Sequence, residues 1–512
     1  MAAIALFVLL YFLSFHPLNW FWVGWLALTL LLCSLRGLGW KERLWRGWVA
    51  GVLVHAALNY WIPVTIFNAR ELFSWSGGIA LFLAVLAWVL TACVLGVYVA
   101  VWAVWAGAHL PGRELFWCLA VAAGWTALEF ARSLGALGYP WGVLGYSQWR
   151  ALPLIQIAEL TSVYGVSFLM AFVGAAAAVG LTRQRWLPLG VGVGAVALCA
   201  AWGQRRLMQR FPSRPSSVVT IVQGNIANEA KVDQKRARQN IAVFAELTER
   251  AVQQRQPALV VWPETVVLLP WSRFPDVQQW LCQSARDWKA GLVTGSVDRD
   301  EQKRGYNIAV SLSSRGNVKG IYQKVRLVPF GEYIPLRWFP LRGMLRFLEP
   351  EVSAGVSVHP LPTDVGNVGA LICFESMFPD LSRQLARSGA EWLVVMTNDD
   401  WFSGTSAPDD HAAMSVFRAI ETRRWVVRAA NTGISLFVDE CGRIIATLGW
   451  NQRDTLTRRV RHHEAGGGET LYVRYGDWFA WGCVIVCLLT LAVRRRDYLE
   501  HLRKGQRPTD SE

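Results

Sequence analysis

The sequence predicts a helical membrane bundle of about eight spans that carries a water-soluble α/β domain. Hydrophobic residues make up 53% of the 512-residue chain and charged residues only 17%, whereas soluble globular chains contain about 25% charged residues. The 28 tryptophans fit the same class of protein, because indole rings collect at bilayer interfaces. From residue 218 onwards, short β-branched runs alternate with polar, helix-like stretches, which is the pattern of an α/β layered fold. This composition excludes a disordered chain, a coiled coil and an ordinary cytosolic enzyme.

The apolar stretches have the length of bilayer crossings. A helix needs about 20 apolar residues to cross about 30 Å of hydrocarbon. No charged side chain precedes Arg36, and residues 1–35 are predicted to form two short spans with a break at 16–19. Residues 79–107 contain no proline and only Gly96 in their interior, so one long helix is predicted there instead of two helices and a turn. Further spans are predicted at 48–67, 114–132, 161–181, 186–203 and 477–493.

Two carboxylates, Glu129 and Glu159, fall at or near membrane depth in this arrangement. Carboxylates inside a bilayer are costly and are functional by default. The alternative is a snorkelling or helix-capping role close to the end of a span, and the sequence leaves both interpretations open.

The positions of the basic side chains predict the orientation of the bundle. The net charge is +14, and arginine and lysine are concentrated in the loops after the second, fourth and sixth predicted spans and in the C-terminal tail. Basic loops favour the cytoplasmic face of a membrane. Both termini are therefore predicted to be cytoplasmic. The sequence shows no nucleic-acid recognition motif, so its basic charge does not indicate nucleic acid as a partner.

Four regions follow from this topology. Residues 1–210 are predicted to form a membrane domain with about seven helices, and residues 215–465 a soluble α/β domain on the outer, periplasm-like side. Residues 475–495 form a last transmembrane helix, and residues 496–512 a basic cytoplasmic tail. Inside the soluble region, residues 235–254 are predicted as an amphipathic helix, and the predicted strands are 218–222, 258–262, 292–295, 308–312, 369–372, 392–396 and 434–438.

Three reactive side chains, Glu264, Lys324 and Cys373, each follow a short apolar run of the soluble region. Active residues of such folds gather just past strand ends. A carboxylate can take the proton of a thiol, and a fixed ammonium can stabilise the oxyanion that forms when the sulfur attacks a carbonyl. Taken singly, each residue is more simply explained as a salt-bridge partner, a solvated charge or a small core residue. Their shared position after strand ends favours a site for acyl transfer.

The segments around these residues resemble the nitrilase, or carbon–nitrogen hydrolase, superfamily. The segments are Trp262-Pro263-Glu264-Thr265, Leu327-Val328-Pro329-Phe330-Gly331-Glu332 after Lys324, and Ile372-Cys373-Phe374-Glu375. The resemblance implies an αββα sandwich with a Glu-Lys-Cys triad. Further segments look like the apolipoprotein N-acyltransferases, a membrane-embedded branch of that superfamily, as does the order of seven spans, soluble domain and final span. These segments are Gly138-Tyr139-Pro140-Trp141, Gly145-Tyr146-Ser147-Gln148, Val222-Gln223-Gly224-Asn225 and Gly476-Asp477-Trp478.

The resemblance implies the reaction. A fatty acyl chain would move from a membrane phospholipid to the N-terminal α-amine of a diacylglyceryl-cysteine apolipoprotein, through a thioester on Cys373 and without a cofactor or metal. This is the last step of lipoprotein maturation and implies a bacterial inner membrane, with the catalytic domain in the periplasm. The expected partners are the phospholipid donor, the apolipoprotein acceptor and the lipid bilayer.

The resemblance also implies roles for nine residues. Glu264, Lys324 and Cys373 form the expected catalytic triad. Glu332 is expected to orient Lys324 or the base, and Glu375 to support the nucleophile. The expected substrate-binding residues are Tyr333, Phe374, Trp401 and Phe402.

Two positions depart from the family pattern, and one segment suggests a lid. Val232 stands where the family often has tryptophan, and Asp400 stands where it usually has a small residue, so substrate contacts are expected to differ at these loops. Residues 336–348 mix aromatic residues with arginines, which suits a membrane-surface lid, although an apolar edge packed on the core is the alternative. The competing functions are a membrane-anchored amidase of the same superfamily, which uses water as acceptor, and a non-enzymatic lipid carrier.

Overall fold

The computed structural model describes residues 1–71, 74–107, 112–227, 236–335, 352–464 and 467–503, with side chains as far as Arg496. Val232 and the segment 336–348 lie outside the described residues, as does most of the tail. The chain forms two compact units. The helical unit comprises Met1–Phe67, Ser76–Gln209 and Asp477–Glu512, and the α/β unit comprises Asn68–Trp75 and Arg210–Gly476.

The helical unit consists of apolar helices joined by short connections. In chain order they are α1 (Ala2–Leu13), α2 (Gly24–Ser34), α3 (Trp40–Leu58), α4 (Trp61–Asn68), α5 (Gly77–Gly107), α6 (Glu114–Ser133), α7 (Leu152–Ile155), α8 (Ala158–Thr161), α9 (Val163–Arg183), α10 (Leu187–Met208) and, after the α/β unit, the helix Trp478–Arg503. The predicted break at 16–19 falls between α1 and α2. Helix α5 is continuous over 31 residues, or roughly 46 Å at 1.5 Å per residue, which confirms the prediction of one long helix.

The number of membrane spans is not confirmed at eight. Within the described ranges, five helices are long and apolar enough to cross a membrane, namely α5, α6, α9, α10 and Trp478–Arg496. Helices α3 and α4 together give a sixth candidate, which is bent by 49°. Helices α1 and α2 contain 12 and 11 residues, fewer than the roughly 20 that a straight crossing requires.

Small residues and paired carboxylates shape the inside of the helical unit. Helices α3 and α5 approach closely because both carry glycine at the contact: a Cβ added to Gly51 would lie 2.7 Å from the Cα of Gly96. Glu129 accepts a hydrogen bond from the backbone N–H of Leu144 (2.8 Å). Glu159 forms an ion pair with Arg206 (2.8 Å). Both buried carboxylates therefore have a partner within the helical unit.

The α/β unit contains two stacked sheets. Its strands in the described residues are β1 (Ser213–Gln223), β2 (Leu259–Val261), β3 (Val267–Pro270), β4 (Gly291–Arg299), β5 (Gly305–Leu312), β6 (Val318–Gln323), β7 (Leu361–Thr363), β8 (Gly366–Ile372), β9 (Trp392–Thr397), β10 (Val426–Ala430), β11 (Ser435–Val438), β12 (Ile444–Leu448) and β13 (Asp454–His463). The first sheet has the order β13-β1-β2-β4-β5-β6, with β3 beside β4. The second has the order β12-β11-β10-β9-β8-β7. The first and last strands, β1 and β13, are antiparallel neighbours, and Ser213 pairs with His463.

Four longer helices cover the outer faces of the sheets. They are α11 (Ala237–Arg255), α12 (Pro275–Trp288), α13 (Pro379–Arg387) and α14 (Ala407–Thr422). Helices α11 and α12 pack on the first sheet through side chains such as Phe244 and Leu281, and α13 and α14 contact the second. This arrangement confirms the predicted αββα sandwich. The region between α14 and the C-terminal helix adds the short α15 (Leu471–Tyr475).

Alternation along the strands divides the core into two layers. Leu259 and Val261 of β2 lie in the layer between the two sheets, whereas Val260 and Trp262 lie in the layer under α11 and α12. Successive side chains of a strand point to opposite faces, and both faces of these sheets are covered. The central strands are therefore continuous apolar runs, and the polar residues that follow them lie at the edge where the parallel strands end.

Candidate active site

Cys373 lies at a sharp turn between strand β8 and the 3₁₀ turn Cys373–Met377. Its φ of 52° is in the left-handed region, which non-glycine residues rarely adopt. Two hydrogen bonds close this turn: Ile372 donates its N–H to Glu375 Oε2 (2.8 Å), and Ser376 donates its hydroxyl to the carbonyl of Cys373 (2.8 Å). Left-handed residues at functional sites persist only where their surroundings hold them, so this turn presents the thiol at the end of a buried strand.

Glu264 follows strand β2 and is 7% exposed. Its Oε1 accepts a hydrogen bond from the side-chain amide of Asn307 (2.8 Å), and its Oε2 accepts one from the backbone N–H of Asn398 (3.0 Å). The loop of Glu264 can lie this close to strand β4 because residue 295 of β4 is glycine. A Cβ on Gly295 would lie 2.7 Å from the Cα of Glu264. Both carboxylate oxygens are therefore fixed by donors, one from strand β5 of the same sheet and one that follows strand β9 of the other sheet.

Lys324 directly follows β6 and is 1% exposed. Its Nζ lies 2.7 Å from Glu332 Oε1 and 3.6 Å from Glu264 Oε1. Burial by itself would lower the pKa of Lys324, but the carboxylates of Glu332 and Glu264 raise it well above its usual range. The ammonium is thus permanently charged, and Glu332 is held in turn by the backbone N–H of Val328 (2.8 Å).

The thiol of Cys373 is protonated in this environment. Burial, and next the negative charge of Glu264, raise its pKa to about 12, although Lys324 acts in the opposite direction. The thiolate is the reactive form of cysteine. Attack on a carbonyl at neutral pH therefore requires that the proton leave during the reaction, and a fixed carboxylate is the group that can take it.

Glu375 joins the nucleophile turn to the loop that carries Lys324. Its Oε1 accepts hydrogen bonds from the Tyr322 hydroxyl (3.0 Å) and from the backbone N–H groups of Val325 (2.7 Å) and Arg326 (3.1 Å). Its Oε2 accepts the Ile372 N–H described above. Burial raises the pKa of Glu375 to about 7, against the effect of these backbone donors. Glu375 accepts four hydrogen bonds and thereby joins the nucleophile turn to the loop that carries Lys324. Its role in the site is structural.

The four aromatic residues expected to bind substrate lie on segments next to the triad. Phe374 is the second residue of the nucleophile turn, is buried and packs edge-on against Phe378 at 5.0 Å. Trp401 and Phe402 lie on the 3₁₀ turn Asp399–Phe402 after β9 and are partly exposed. Tyr333 follows Glu332 and is also partly exposed. Asp400, on the same turn as Trp401, is partly exposed as well.

The comparisons with known proteins match both units of the chain. A family model described as carbon–nitrogen hydrolase matches residues 218–466, and one described as apolipoprotein N-acyltransferase N-terminal domain matches residues 8–176. A relative from Geobacter metallireducens named apolipoprotein N-acyltransferase is 34% identical over 93% of this chain and 91% of its own length. The chain belongs to the apolipoprotein N-acyltransferase family. A Pseudomonas aeruginosa apolipoprotein N-acyltransferase is 30% identical over 94% of both chains.

Two solved structures are similar to part of this apolipoprotein N-acyltransferase family member. A carbon–nitrogen hydrolase from Helicobacter pylori G27 is 16% identical with a TM-score of 0.39, and it covers 52% of this chain and 94% of its own. Nit3 of Saccharomyces cerevisiae, of the nitrilase superfamily, is 20% identical with a TM-score of 0.39, over 48% of this chain and 91% of its own.

Two residues of the site in this apolipoprotein N-acyltransferase family member were not predicted from the sequence. Asn307 and Asn398 hold Glu264 from two sides. Asn398 follows the predicted strand 392–396, so the strand-end rule that found Glu264 and Cys373 could have found it. Asn307 lies inside β5, where an asparagine among apolar residues gives no signal of its own. The structure thus brings Glu264, Lys324, Glu332, Glu375 and Cys373 together.

Proposed function

We propose that the chain transfers a fatty acyl group from a membrane phospholipid to the N-terminal α-amine of diacylglyceryl-cysteine apolipoproteins, through a thioester on Cys373. Family membership supplies the reaction class, N-acylation of lipoproteins. The observation that carries the mechanism is the buried contact of Lys324 with Glu264 at 3.6 Å, beside a cysteine whose pKa both groups influence. No cofactor is needed, because proton transfer, attack and charge stabilisation are all assigned to side chains.

In the first half-reaction, Glu264 takes the proton from Cys373 while the sulfur attacks the ester carbonyl carbon of the phospholipid. The carbonyl oxygen becomes an oxyanion, and the fixed ammonium of Lys324 stabilises it. The tetrahedral intermediate then collapses by breaking the bond from carbon to the glycerol oxygen. Glu264 returns its proton to that oxygen. The lysophospholipid leaves, and the acyl group stays on Cys373 as a thioester.

In the second half-reaction, the α-amine of the apolipoprotein attacks the thioester carbonyl. Glu264 accepts a proton from the attacking nitrogen, and Lys324 again stabilises the oxyanion. Breaking the carbon–sulfur bond releases the amide product, and the sulfur recovers its proton from Glu264. Glu332 holds Lys324 at 2.7 Å throughout, so we assign it the positioning of the ammonium.

The substrate-binding assignments follow from the same geometry. Tyr333, Phe374, Trp401 and Phe402 lie on the segments that also carry Glu332, Cys373 and the turn after β9. Aromatic rings at these places can contact the acyl chain or the glycerol of a lipid. We propose that they line the path of the donor.

The test of this function is the covalent intermediate. Purified protein incubated with phospholipid that carries a labelled acyl chain, and with no acceptor, should become labelled at the peptide that contains Cys373. Hydroxylamine should release the label, as expected of a thioester, and mass spectrometry should find the mass of one acyl chain on that peptide. Release of free fatty acid without a lasting acyl-enzyme would favour the amidase alternative, and lipid binding with no covalent product would favour the carrier.

We further propose that both termini are cytoplasmic and that residues 215–465 are periplasmic, in a bacterial inner membrane. The basic loops and the tail 496–512 support this orientation, with 1–210 and 475–495 as the membrane regions. Reporter fusions at Arg185 and at the C-terminus should give a cytoplasmic signal, and a fusion near Gly316 a periplasmic one. A cytoplasmic signal near Gly316 would contradict both the orientation and the number of spans before it.

A further inference from the structure

A second group of buried polar side chains lies under the nucleophile turn and outside the triad. Asp399, His411 and Arg428 are each at most 1% exposed, and so is Ser376 of the turn itself. They come from the turn after β9, from helix α14 and from strand β10. Buried charged groups are costly unless they are paired, so their position beside Cys373 requires an explanation.

Helix α14 contacts the turn of Cys373 through two residues on one face. His411 and Arg418 are seven residues apart, which places them on the same side of a helix. His411 Nε2 lies 3.3 Å from the carbonyl oxygen of Cys373 and 2.8 Å from Ser376 Oγ. Arg418 donates to the carbonyl oxygens of Ser376 (3.3 Å) and Met377 (3.1 Å). Helix α14 therefore supplies fixed hydrogen-bond donors to the carbonyl groups of the nucleophile turn.

The other ring nitrogen of His411 faces an ion pair. Arg428 Nη2 lies 2.7 Å from Asp399 Oδ2, and His411 Nδ1 lies 3.0 Å from Arg428 Nη2 and 3.2 Å from Asp399 Oδ1. Burial and then Arg428 lower the pKa of His411, against the effect of Asp399. The imidazole is thus neutral at physiological pH, and the partners of its two ring nitrogens determine which nitrogen carries the single proton.

The proton of His411 belongs on Nε2. The carbonyl of Cys373 can only accept a hydrogen bond, and a guanidinium can only donate one. A neutral imidazole satisfies both when Nε2 carries the hydrogen and Nδ1 accepts from Arg428. Arg428, 3.0 Å from Nδ1, therefore favours the form that donates from Nε2, whereas Asp399 Oδ1 at 3.2 Å acts in the opposite direction.

The same group also reaches the general base. Asp399 is the neighbour of Asn398, whose backbone N–H donates to Glu264 Oε2 at 3.0 Å. Asp399 Oδ1 additionally accepts the hydroxyl of Thr397 (2.8 Å). One buried network therefore contacts the backbone of the nucleophile at one end and adjoins the donor that holds the base at the other.

We propose that His411 is a positioning residue that keeps Cys373 in its left-handed conformation, by donating Nε2–H to the Cys373 carbonyl and to Ser376 Oγ, whose hydroxyl donates to the same carbonyl. Without this donor, the Ser376 hydroxyl is left to hold the Cys373 carbonyl, and Cys373 relaxes more readily to negative φ, which moves Sγ. The role in turnover rests on the acyl transfer proposed above. The conformation of Cys373 itself can be tested without any lipid.

The test compares two amide variants of His411. In His411→Gln the side-chain nitrogen reaches the place of Nε2 and keeps a donor for the Cys373 carbonyl, whereas in His411→Asn the amide extends only as far as Nδ1. We expect His411→Asn to lower kcat by about 10-fold to 10²-fold, since a displacement of about 1 Å can cost that much, with KM for phospholipid unchanged. His411→Gln should recover most of kcat. Alkylation of Cys373 by iodoacetamide should slow in the Asn variant and recover in the Gln variant.

A matched control lies on the same helix. Ser415 is buried, and its hydroxyl has no hydrogen-bond partner in the part of the chain that the structure describes, so Ser415→Ala should change neither assay.

Equal losses in the Gln and Asn variants would overturn the proposal, and so would unchanged alkylation in the Asn variant. If His411→Asn does not fold, Ser376→Ala, which removes the other donor to the same carbonyl, should still slow alkylation, and a wild-type rate would overturn the proposal. A wild-type protein that alkylates as expected but forms no thioester would contradict the acyl transfer and leave the role of His411 intact.

Discussion

Replacing Cys373 with alanine is expected to abolish acyl transfer and labelling by phospholipid. The alanine variant has no atom that can carry the acyl group, so turnover should fall on the order of 10⁴-fold or more, to the background rate, as for the loss of other catalytic nucleophiles. Cys373→Ser should be almost as inactive, because an alkoxide is far harder to form than a thiolate at neutral pH. Turnover and the mass of the Cys373 peptide are the measurements.

Cys282 provides the matched control for this prediction. It is a partly buried cysteine of the α/β unit, like Cys373, but it lies on helix α12, where no part of the mechanism has been assigned. Cys282→Ala should keep wild-type turnover and wild-type labelling. Near-normal activity of Cys373→Ala would show that the covalent mechanism is wrong.

Replacing Glu264 with glutamine is expected to slow both half-reactions, by about 10² to 10⁴-fold, the usual contribution of a general base. Glu264 and Glu332 both contact Lys324, but only Glu264 is assigned a proton-transfer role. The glutamine keeps the shape of the side chain and cannot accept the proton. Asn307 can turn its amide to match the new group, since its Oδ1 is buried with no partner among the described residues.

Rapid-quench kinetics separate the two steps of this prediction. Thioester formation is followed with phospholipid alone, and aminolysis is followed after addition of an apolipoprotein peptide to preformed acyl-enzyme. Both rates should fall in Glu264→Gln. A normal rate of thioester formation would mean that another carboxylate, with Glu332 the nearest candidate, takes the thiol proton.

The sequence predicts those parts of the fold that depend on local apolar patterns. The strands β2, β5, β8 and β9 are predictable because both faces of their sheets are covered and each contains a run of mainly apolar residues. The single long helix α5 was predicted because no turn residue interrupts it. The triad was predicted from positions after strand ends, which parallel strands bring to one edge of a sheet.

The remaining elements depend on tertiary contacts that the pattern does not show. Strand β13 lies at a sheet edge and carries three arginines and two histidines. Its own pattern does not indicate a strand, which forms through pairing with β1. Strand β10 is not predicted because Arg428 interrupts its apolar run, and the buried charge of Arg428 is compensated by its ion pair with Asp399. The two spans predicted in residues 1–35 stay unconfirmed, because helices α1 and α2 are shorter than a straight crossing requires.

Strands β1 and β13, the first and last of the α/β unit, are neighbours, so the two ends of the sandwich lie close together. Because Ser213 pairs with His463, the chain enters and leaves this sandwich side by side at one sheet edge. A short linker could therefore join the two ends and new termini could be opened in a surface turn, which is the condition under which circular permutation is tolerated. The segment Arg210–Gly476, which holds all strands of the sandwich, could therefore be exchanged between hosts at a single junction.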